Sequence, residues 1–300
     1  MNRTYTEIVK NYRLWLDSLG FSDGVVYELP GRINHFFEWL ENKGISKINQ
    51  LNQTHINQYF VYLEHRPNQR TKGKTLSVSH LNKNFDAIDK LLEFLHQHGL
   101  NTAPTPTGYR IKQDQAERIR KIQPLTQQEI KTLYNTIENA YPNFEYNHRQ
   151  AKHHQLKLIF TLYYACGLRR TEGANLTIKD VNFENKTIFI KSGKGYKDRI
   201  IPMSKGIYTH LQDYIYNYRH SLHLPHTRLF ITQANNQYKA LKHLQNICSD
   251  PKIRAKHITL HILRHSIATH LLQNGMSIDN ISKFLGHNSL ESTQIYTHLI

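Results

Sequence analysis

The chain is 300 residues long, 39% apolar and 11% aromatic, with a formal charge of +16. That apolar content excludes wholesale disorder, and the basic excess points to a polyanionic partner, nucleic acid ahead of a membrane surface. Two cysteines, Cys166 and Cys248, exclude a disulfide framework and a multi-thiolate zinc site, and the length suits two domains of ordinary size.

The opening MNRTYTEIVKNYRLWL has no long apolar h-region, and no later run approaches a membrane span, so the chain reads as cytoplasmic with no membrane partner. Tyr5, Ile8, Tyr12, Trp15, Leu16 and Leu19 recur at steps near 3.6 and predict a first helix. Pro30 suits a helical N1 position, with Ile33, Phe36, Phe37 and Leu40 following. Thr54 is the expected N-cap of a third helix bearing Ile56, Tyr59, Phe60 and Leu63. Ser77 caps a fourth, which Gly99 ends at the C′ position. Between the third and fourth, Arg66, Arg70, Lys72 and Lys74 crowd a Pro/Gly loop, which reads either as solvated surface or as a phosphate-contacting loop.

NTAPTPTGYR, residues 101–110, reads as an extended linker, and a charged run continues to Lys121. The expected boundaries are a helical domain over 1–107, a linker over 108–123 and a second domain over 124–300. Charge is uneven: residues 1–110 hold 13 Lys/Arg against 10 Asp/Glu, and the rest 26 against 13. The second domain opens on a capping box, Thr126 with Glu129. HQLKLIFTLYYACG is an apolar helix central to its core, with Cys166 a small buried hydrophobe. KTIFIKSGKGYKDRIIPM alternates about a polar Gly-bearing turn and predicts a β-hairpin.

Four segments of this domain carry candidate chemistry. CGLRRTEGANL places Arg169 just after Gly167; alone, an arginine there is a surface charge. SGKGYKDR sets Lys194 between glycines in the hairpin turn. HITLHILRHSIATHLL places His261, Arg264 and His265 at i, i+3 and i+4 of a helix, and FLGHNSLESTQIYTH carries His287 and Tyr296. Phosphodiester chemistry without metal needs such a set. Arginine forks match phosphate oxygens and stay charged, a tyrosine hydroxyl can attack phosphorus, a mobile lysine can protonate the leaving oxygen, and imidazoles can handle the nucleophile's proton. The rival reading is zinc, since His261 and His265 have metal-helix spacing. Ile262 stands where the metalloprotease motif requires Glu, so no metal is expected, and His265 and His270 are read as packing and hydrogen-bonding residues.

With those four segments in this order, the sequence resembles the tyrosine recombinase/phage integrase family in its Xer-like size class. GLRRTE is similar to the family's first arginine box, GKGYKDRIIPM to its lysine hairpin, HILRH to its H-x-x-R box and LGH…STQIYTH to its histidine-plus-tyrosine box. The resemblance implies a mainly α, two-domain fold: an N-terminal four-helix core-binding (SAM-like) domain, then an α+β catalytic domain with a small β-hairpin sheet. It implies that Arg169 and Arg264 hold the scissile phosphate, Lys194 is the general acid, His261 and His287 assist, and Tyr296 is the nucleophile. Glu172 takes the family's supporting acidic position, while His265 turns away from the phosphate.

The implied reaction is cutting of a strand of double-stranded DNA with a 3′-phosphotyrosyl link and a free 5′-hydroxyl, without cofactor or metal. Implied assembly is a homo-tetramer on two DNA sites, or a hetero-tetramer with a related recombinase. Lys239, Lys242, Arg254 and Lys256, together with the Arg66–Lys74 loop, are the expected DNA contacts. Resembling proteins continue past the tyrosine into a C-terminal helix that docks on a neighbouring protomer, whereas this sequence ends at Ile300; that tilts the role towards a mobile-element integrase and away from a Xer-type resolver of chromosome dimers. A type IB topoisomerase and a catalytically silent DNA-binding module are the more distant alternatives.

Overall fold

The computed structural model describes residues 1–69, 71, 73–112, 122–139, 148–191, 197–220, 223–230 and 234–299. It divides into two compact units, Met1–Gln115 and Ala116–Ile300. Arg70, Lys72 and Lys194 lie outside the described residues. No helix among the described residues is long and apolar enough to cross a membrane.

The first unit packs four helices, α1 (Arg3–Ser18), α2 (Asp23–Asn42), α3 (Gln53–His65) and α4 (Val78–Gln97), on one apolar core. Helical spacing brings Tyr5, Tyr12 and Leu16 to one face of α1, where all three are fully buried. Pro30 is not the first residue of α2 but lies inside it. An internal proline costs ~3 kcal/mol. The cost is outweighed by burial of Ile33, Phe36, Phe37 and Leu40 on the turns that follow, at roughly 1.5–3 kcal/mol each. The N-cap of α3 is Asn52 rather than Thr54, because Asn52 and His55 close a reciprocal box: the Asn52 side chain accepts from the His55 N–H at 3.1 Å, and His55 Nδ1 accepts from the Asn52 N–H at 3.3 Å. Ser77 caps α4, and Gly99 ends it at φ +85°, both as the sequence predicts.

Residues 103–111, which composition reads as linker, instead strap onto α4. Buried Asp89 accepts from the Thr107 N–H at 2.7 Å, the Gly108 N–H at 3.1 Å and Arg110 Nη1 at 2.8 Å, while Asn82 and the Ile111 backbone exchange two bonds of 2.9 Å. A buried carboxylate needs such partners, and the strap supplies them.

The second unit is mainly helical around a small sheet. Its helices are α5 (Gln127–Asn139), α6 (His148–Ala165), α7 (Arg170–Asn175), α8 (Lys205–Asp213), α9 (Ala234–Ile247), α10 (Pro251–Ala255), α11 (Leu260–Gln273), α12 (Ile278–Leu285) and α13 (Glu291–Gln294). The Thr126–Glu129 box caps α5 with bonds of 2.8 and 3.2 Å. Cys166 is fully buried, and burial pushes its thiol up to about 12, so it serves as core.

The predicted hairpin forms from β2 (Thr187–Ile190) and β3 (Arg199–Pro202), with Ile188 opposite Ile201 and Ile190 opposite Arg199. A short strand absent from the sequence expectations, β1 (Val181–Asn182), pairs antiparallel with β2 to complete the sheet. Alternation turns Ile188, Ile190 and Ile201 into the core and leaves Ile200 exposed. The same alternation turns Arg199 inward.

Candidate active site

Two helix C-termini meet Arg264 of α11 and Arg169 at one point of the second unit. Helix α6 ends at Gly167, whose φ of +54° and contact distance suit only glycine: a Cβ there would lie 2.8 Å from Leu285 Cδ2. Helix α12 ends at Gly286 in the left-handed region, with the Gly286 N–H donating to Lys283 and the His287 N–H to Ser282. Both ends leave carbonyls without helical donors. Arg264, on buried α11, donates from Nη1 to the Gly167 carbonyl at 2.5 Å and from Nη2 to the Leu285 carbonyl at 2.8 Å. Arg169, the N-cap residue of α7, donates from Nη2 to the Gly286 carbonyl at 2.7 Å. Each guanidinium is thus fixed by orphaned carbonyls and favoured by the negative end of a helix dipole.

What positions Arg264 begins with Gln245, whose amide donates to the carbonyls of Ile253, Arg254 and Lys256. These bonds close the corner between α9, α10 and the segment leading to Thr259, the N-cap of α11. From that start, His261 falls one turn before Arg264.

At the centre lies Glu172, only 2% exposed at its side chain. Its carboxylate accepts from Arg199 Nη1 and Nη2 at 2.9 Å each, from Arg169 Nη1 at 2.6 Å and from the Arg169 N–H at 2.7 Å, with Arg264 Nη1 at 3.9 Å. Burial alone would push this carboxyl up; the bonds and charge of Arg199, reinforced by Arg169, hold it at about 2. Three guanidinium groups therefore share one carboxylate. Burial, then the charge of Arg169, brings Arg264 down to about 10, so it stays cationic at neutral pH.

The histidines and the tyrosine close the group. Tyr296, in the last 3₁₀ turn (Ile295–Leu299), is 1% exposed and packs among Ala268, Ile281 and Leu285. Burial raises its phenol pKa, and the charges of Arg264 and Arg169 oppose the rise. The His287 ring lies parallel to that of Tyr296 with centroids 6.4 Å apart, while its Nδ1 meets Thr293 Oγ1 at 2.7 Å. Burial, then Arg264 and Arg169, depresses His287 to about 3. His261, at the exposed rim, is lowered by desolvation and the same two arginines. Both imidazoles are neutral at pH 7. A cleft of about 340 Å³ lined by Lys197, Arg199, Ser282, Gly286 and His287 opens alongside.

The structure thus brings Arg169, Glu172, His261, Arg264, His287 and Tyr296 together, whereas Lys194 falls outside the described residues. One expectation is corrected. His265 does not turn away: it is buried, its ring centroid 5.5 Å from Tyr296 and 4.8 Å from His261. His265 sits on the buried side of α11, although His261 one turn earlier is exposed. Among the described residues no three His, Cys, Asp or Glu side chains gather in a way that could hold a metal ion. Of the expected DNA contacts, Lys74, Lys239 and Arg254 are exposed. Lys256 is ion-paired with Glu129 at 2.8 Å, and Lys242 donates to Gln245 at 2.7 Å.

Arg199 was missed by the motifs and carries the carboxylate. Its one sequence signal is an arginine at an inward position of an otherwise apolar strand. Arg199→Leu is expected to cost ~3 kcal/mol, because it strips the bidentate partner from a buried carboxylate; urea denaturation measures it, with Arg199→Lys intermediate. A second expectation concerns acid. His287 at about 3 and His154, brought to about 4 by burial, remain neutral in the folded chain while unfolded histidines protonate below about 6.5. Stability is therefore complete above that pH and falls as pH drops towards 4. The loss by pH 5 is on the order of 2 kcal/mol after discounting for solvent screening, read from calorimetric Tm against pH.

Comparison with known proteins adds the family context. The phage integrase family matches residues 123–300. The tyrosine recombinase XerA of Pyrococcus furiosus is 30% identical over 283 residues, covering 89% of each chain. The XerA of Pyrococcus horikoshii is 35% identical over 176 residues, a match covering 58% of this chain and 55% of that protein's length. Among solved structures, the XerH site-specific recombinase bound to its difH substrate, in a pre-cleavage complex, has the same fold: TM-score 0.68, 20% identity, covering 97% of this chain and 92% of that one.

Proposed function

The chain belongs to the phage integrase family, the tyrosine recombinases, and from that premise we propose how its residues cut and rejoin DNA. The observation that carries the reading is the imbalance at the site: three guanidinium groups share one carboxylate, beside two neutral imidazoles and a tyrosine hydroxyl. A dry pocket with excess positive charge is complementary to the pentacoordinate phosphorane of phosphodiester exchange, whose added charge develops only in the transition state.

In this reading Tyr296 Oη attacks the scissile phosphorus of a duplex. Its proton passes to a neutral imidazole, His287 or His261, and the 5′-oxygen leaves with a proton from Lys194. Arg169 and Arg264 hold the non-bridging oxygens, and Glu172 with Arg199 keeps both aligned. A phosphodiester becomes a phosphotyrosyl ester of similar energy, so the released 5′-hydroxyl can reverse the step on a partner strand. Neither a cofactor nor an external energy source enters that balance.

The first unit is assigned to clamping the duplex, with Arg66, Arg70, Lys72 and Lys74 on its side and Lys239, Lys242, Arg254 and Lys256 on the catalytic side. Working state is a tetramer on two sites, homomeric or shared with a related recombinase, in the cytoplasm. We assign the biological use to integration, excision or inversion of a mobile element. The match to XerA along 89% of both chains favours a second use, resolution of chromosome dimers.

Strand exchange between two labelled duplexes from the gene's own neighbourhood, in EDTA, tests the reading. Recombinant products with rejoined strands support it. Relaxation of supercoils on any sequence without exchange between sites would assign the chain to topoisomerase chemistry instead.

A further inference from the structure

Away from the catalytic centre, the first unit holds a second concentration of positive charge. Arg32 on α2, Arg66 at the C-cap of α3, and His80 with Lys83 on α4 come together from three elements. Arg32 Nη1 stands 3.3 Å from His80 Nε2, and its Nη2 donates to Glu28 at 2.5 Å. Lys83 Nζ lies 3.8 Å from the same Glu28 oxygen. The charges of Arg66 and Arg32 both act on the buried Tyr59 hydroxyl, with Glu38 opposing them, and both act with Lys83 on His80. We propose that this cluster binds a single backbone phosphate of the target duplex, with Arg32 and Arg66 as its forks and His80 and Lys83 closing the site. The proposal rests on the DNA-cutting reading and adds to it a specific contact in the other unit.

Three observations carry it. The charges do not balance, since among the described residues Arg32, Arg66 and Lys83 stand against Glu28 and Glu38. Two donors are left over: among the described residues, Nε of Arg32 and Nε of Arg66 are buried and have no hydrogen-bond partner. A buried N–H without an acceptor costs ~1–3 kcal/mol, more when charged, and both guanidinium groups could avoid that cost by swinging into water. Instead Arg32 keeps a side chain 11% exposed. Finally, His80 is held below its ordinary value by burial, then by Arg32, Arg66 and Lys83, with Glu28 opposing. Every sign of strain is of the kind one anion would relieve. A phosphodiester fits because its paired oxygens match guanidinium forks and its single charge offsets part of the excess. The cluster also gives Arg66 a role separate from the loop that follows it: it belongs to the corner between α2 and α4.

The test uses the full chain and a fluorescent 30-base-pair duplex, with affinity followed from 50 to 300 mM salt. Arg32→Gln and Arg66→Gln should each weaken binding roughly tenfold and reduce the salt slope by about one, the signature of one lost phosphate contact. The double variant should fall little further, because both arginines serve one phosphate. The His80 imidazole, followed by NMR, should titrate at higher pH once duplex is bound. Wild-type affinity and slope in folded Arg32→Gln and Arg66→Gln, or a His80 titration that duplex leaves unmoved, overturns the proposal. Should either arginine variant fail to fold, Lys83→Gln, exposed and on the same site, must itself flatten the slope or the proposal fails. Failure of the parent reading is distinct: the wild-type chain then neither forms an adduct nor binds duplex with a salt-dependent slope.

Discussion

Tyr296→Phe is expected to abolish covalent attachment to DNA, by at least ~10⁴-fold, while leaving the fold intact. The ring fills a pocket formed with Ala268, Ile281 and Leu285, so the phenyl group retains that packing. What disappears is one buried hydroxyl, worth about 1 kcal/mol. Arg264 keeps its two carbonyl partners and need not move. Little change in Tm with complete loss of adduct therefore separates chemistry from folding. Binding of duplex should also persist, because Arg169 and Arg264, to which phosphate binding is assigned in the proposal, are untouched.

The second large effect is at Arg264. Arg264→Lys retains the charge and most of the volume, yet one ammonium cannot span the Gly167 and Leu285 carbonyls, which accept from two different nitrogens. At least one helix end then loses its partner, which costs ~1–3 kcal/mol of stability. Cleavage is expected to slow by roughly 10³-fold, because a point charge replaces a fork aimed at developing charge. Single-turnover cleavage of a nicked duplex measures the rate, and urea denaturation measures the stability. A rate loss of only a fewfold would show that Arg264 is a structural clamp and no part of phosphate binding.

Much of this was readable in the sequence, for identifiable reasons. The period of Tyr5, Tyr12 and Leu16, the Ser77 and Thr126 caps, and the Gly99 stop are local signals, and the structure has each where the sequence predicts it. That Arg169, Glu172, His261, Arg264, His287 and Tyr296 belong to one group was legible because each sits in a short segment whose order along the chain is itself informative. Non-local features were not. The strap of residues 103–111 exists because Asp89 is buried and needs donors, a fact no local composition reveals. Arg199 matters through Glu172, a pairing set by the approach of β3 to α7. His265 was misdirected because it sits on the buried side of α11, which helical spacing alone does not reveal. Pro30 was placed at a helix start on propensity, and packing on the following turns overrode it.

The central claim is that a buried tyrosine hydroxyl, under the charge of Arg264, becomes the covalent carrier of a DNA strand. The most direct measurement is to trap the chain on a nicked suicide duplex in EDTA, digest the adduct and identify the modified residue by mass spectrometry. The account predicts a nucleotide 3′-phosphate esterified to Tyr296, absent in Tyr296→Phe. An adduct on another residue, or one that persists in Tyr296→Phe, would contradict it.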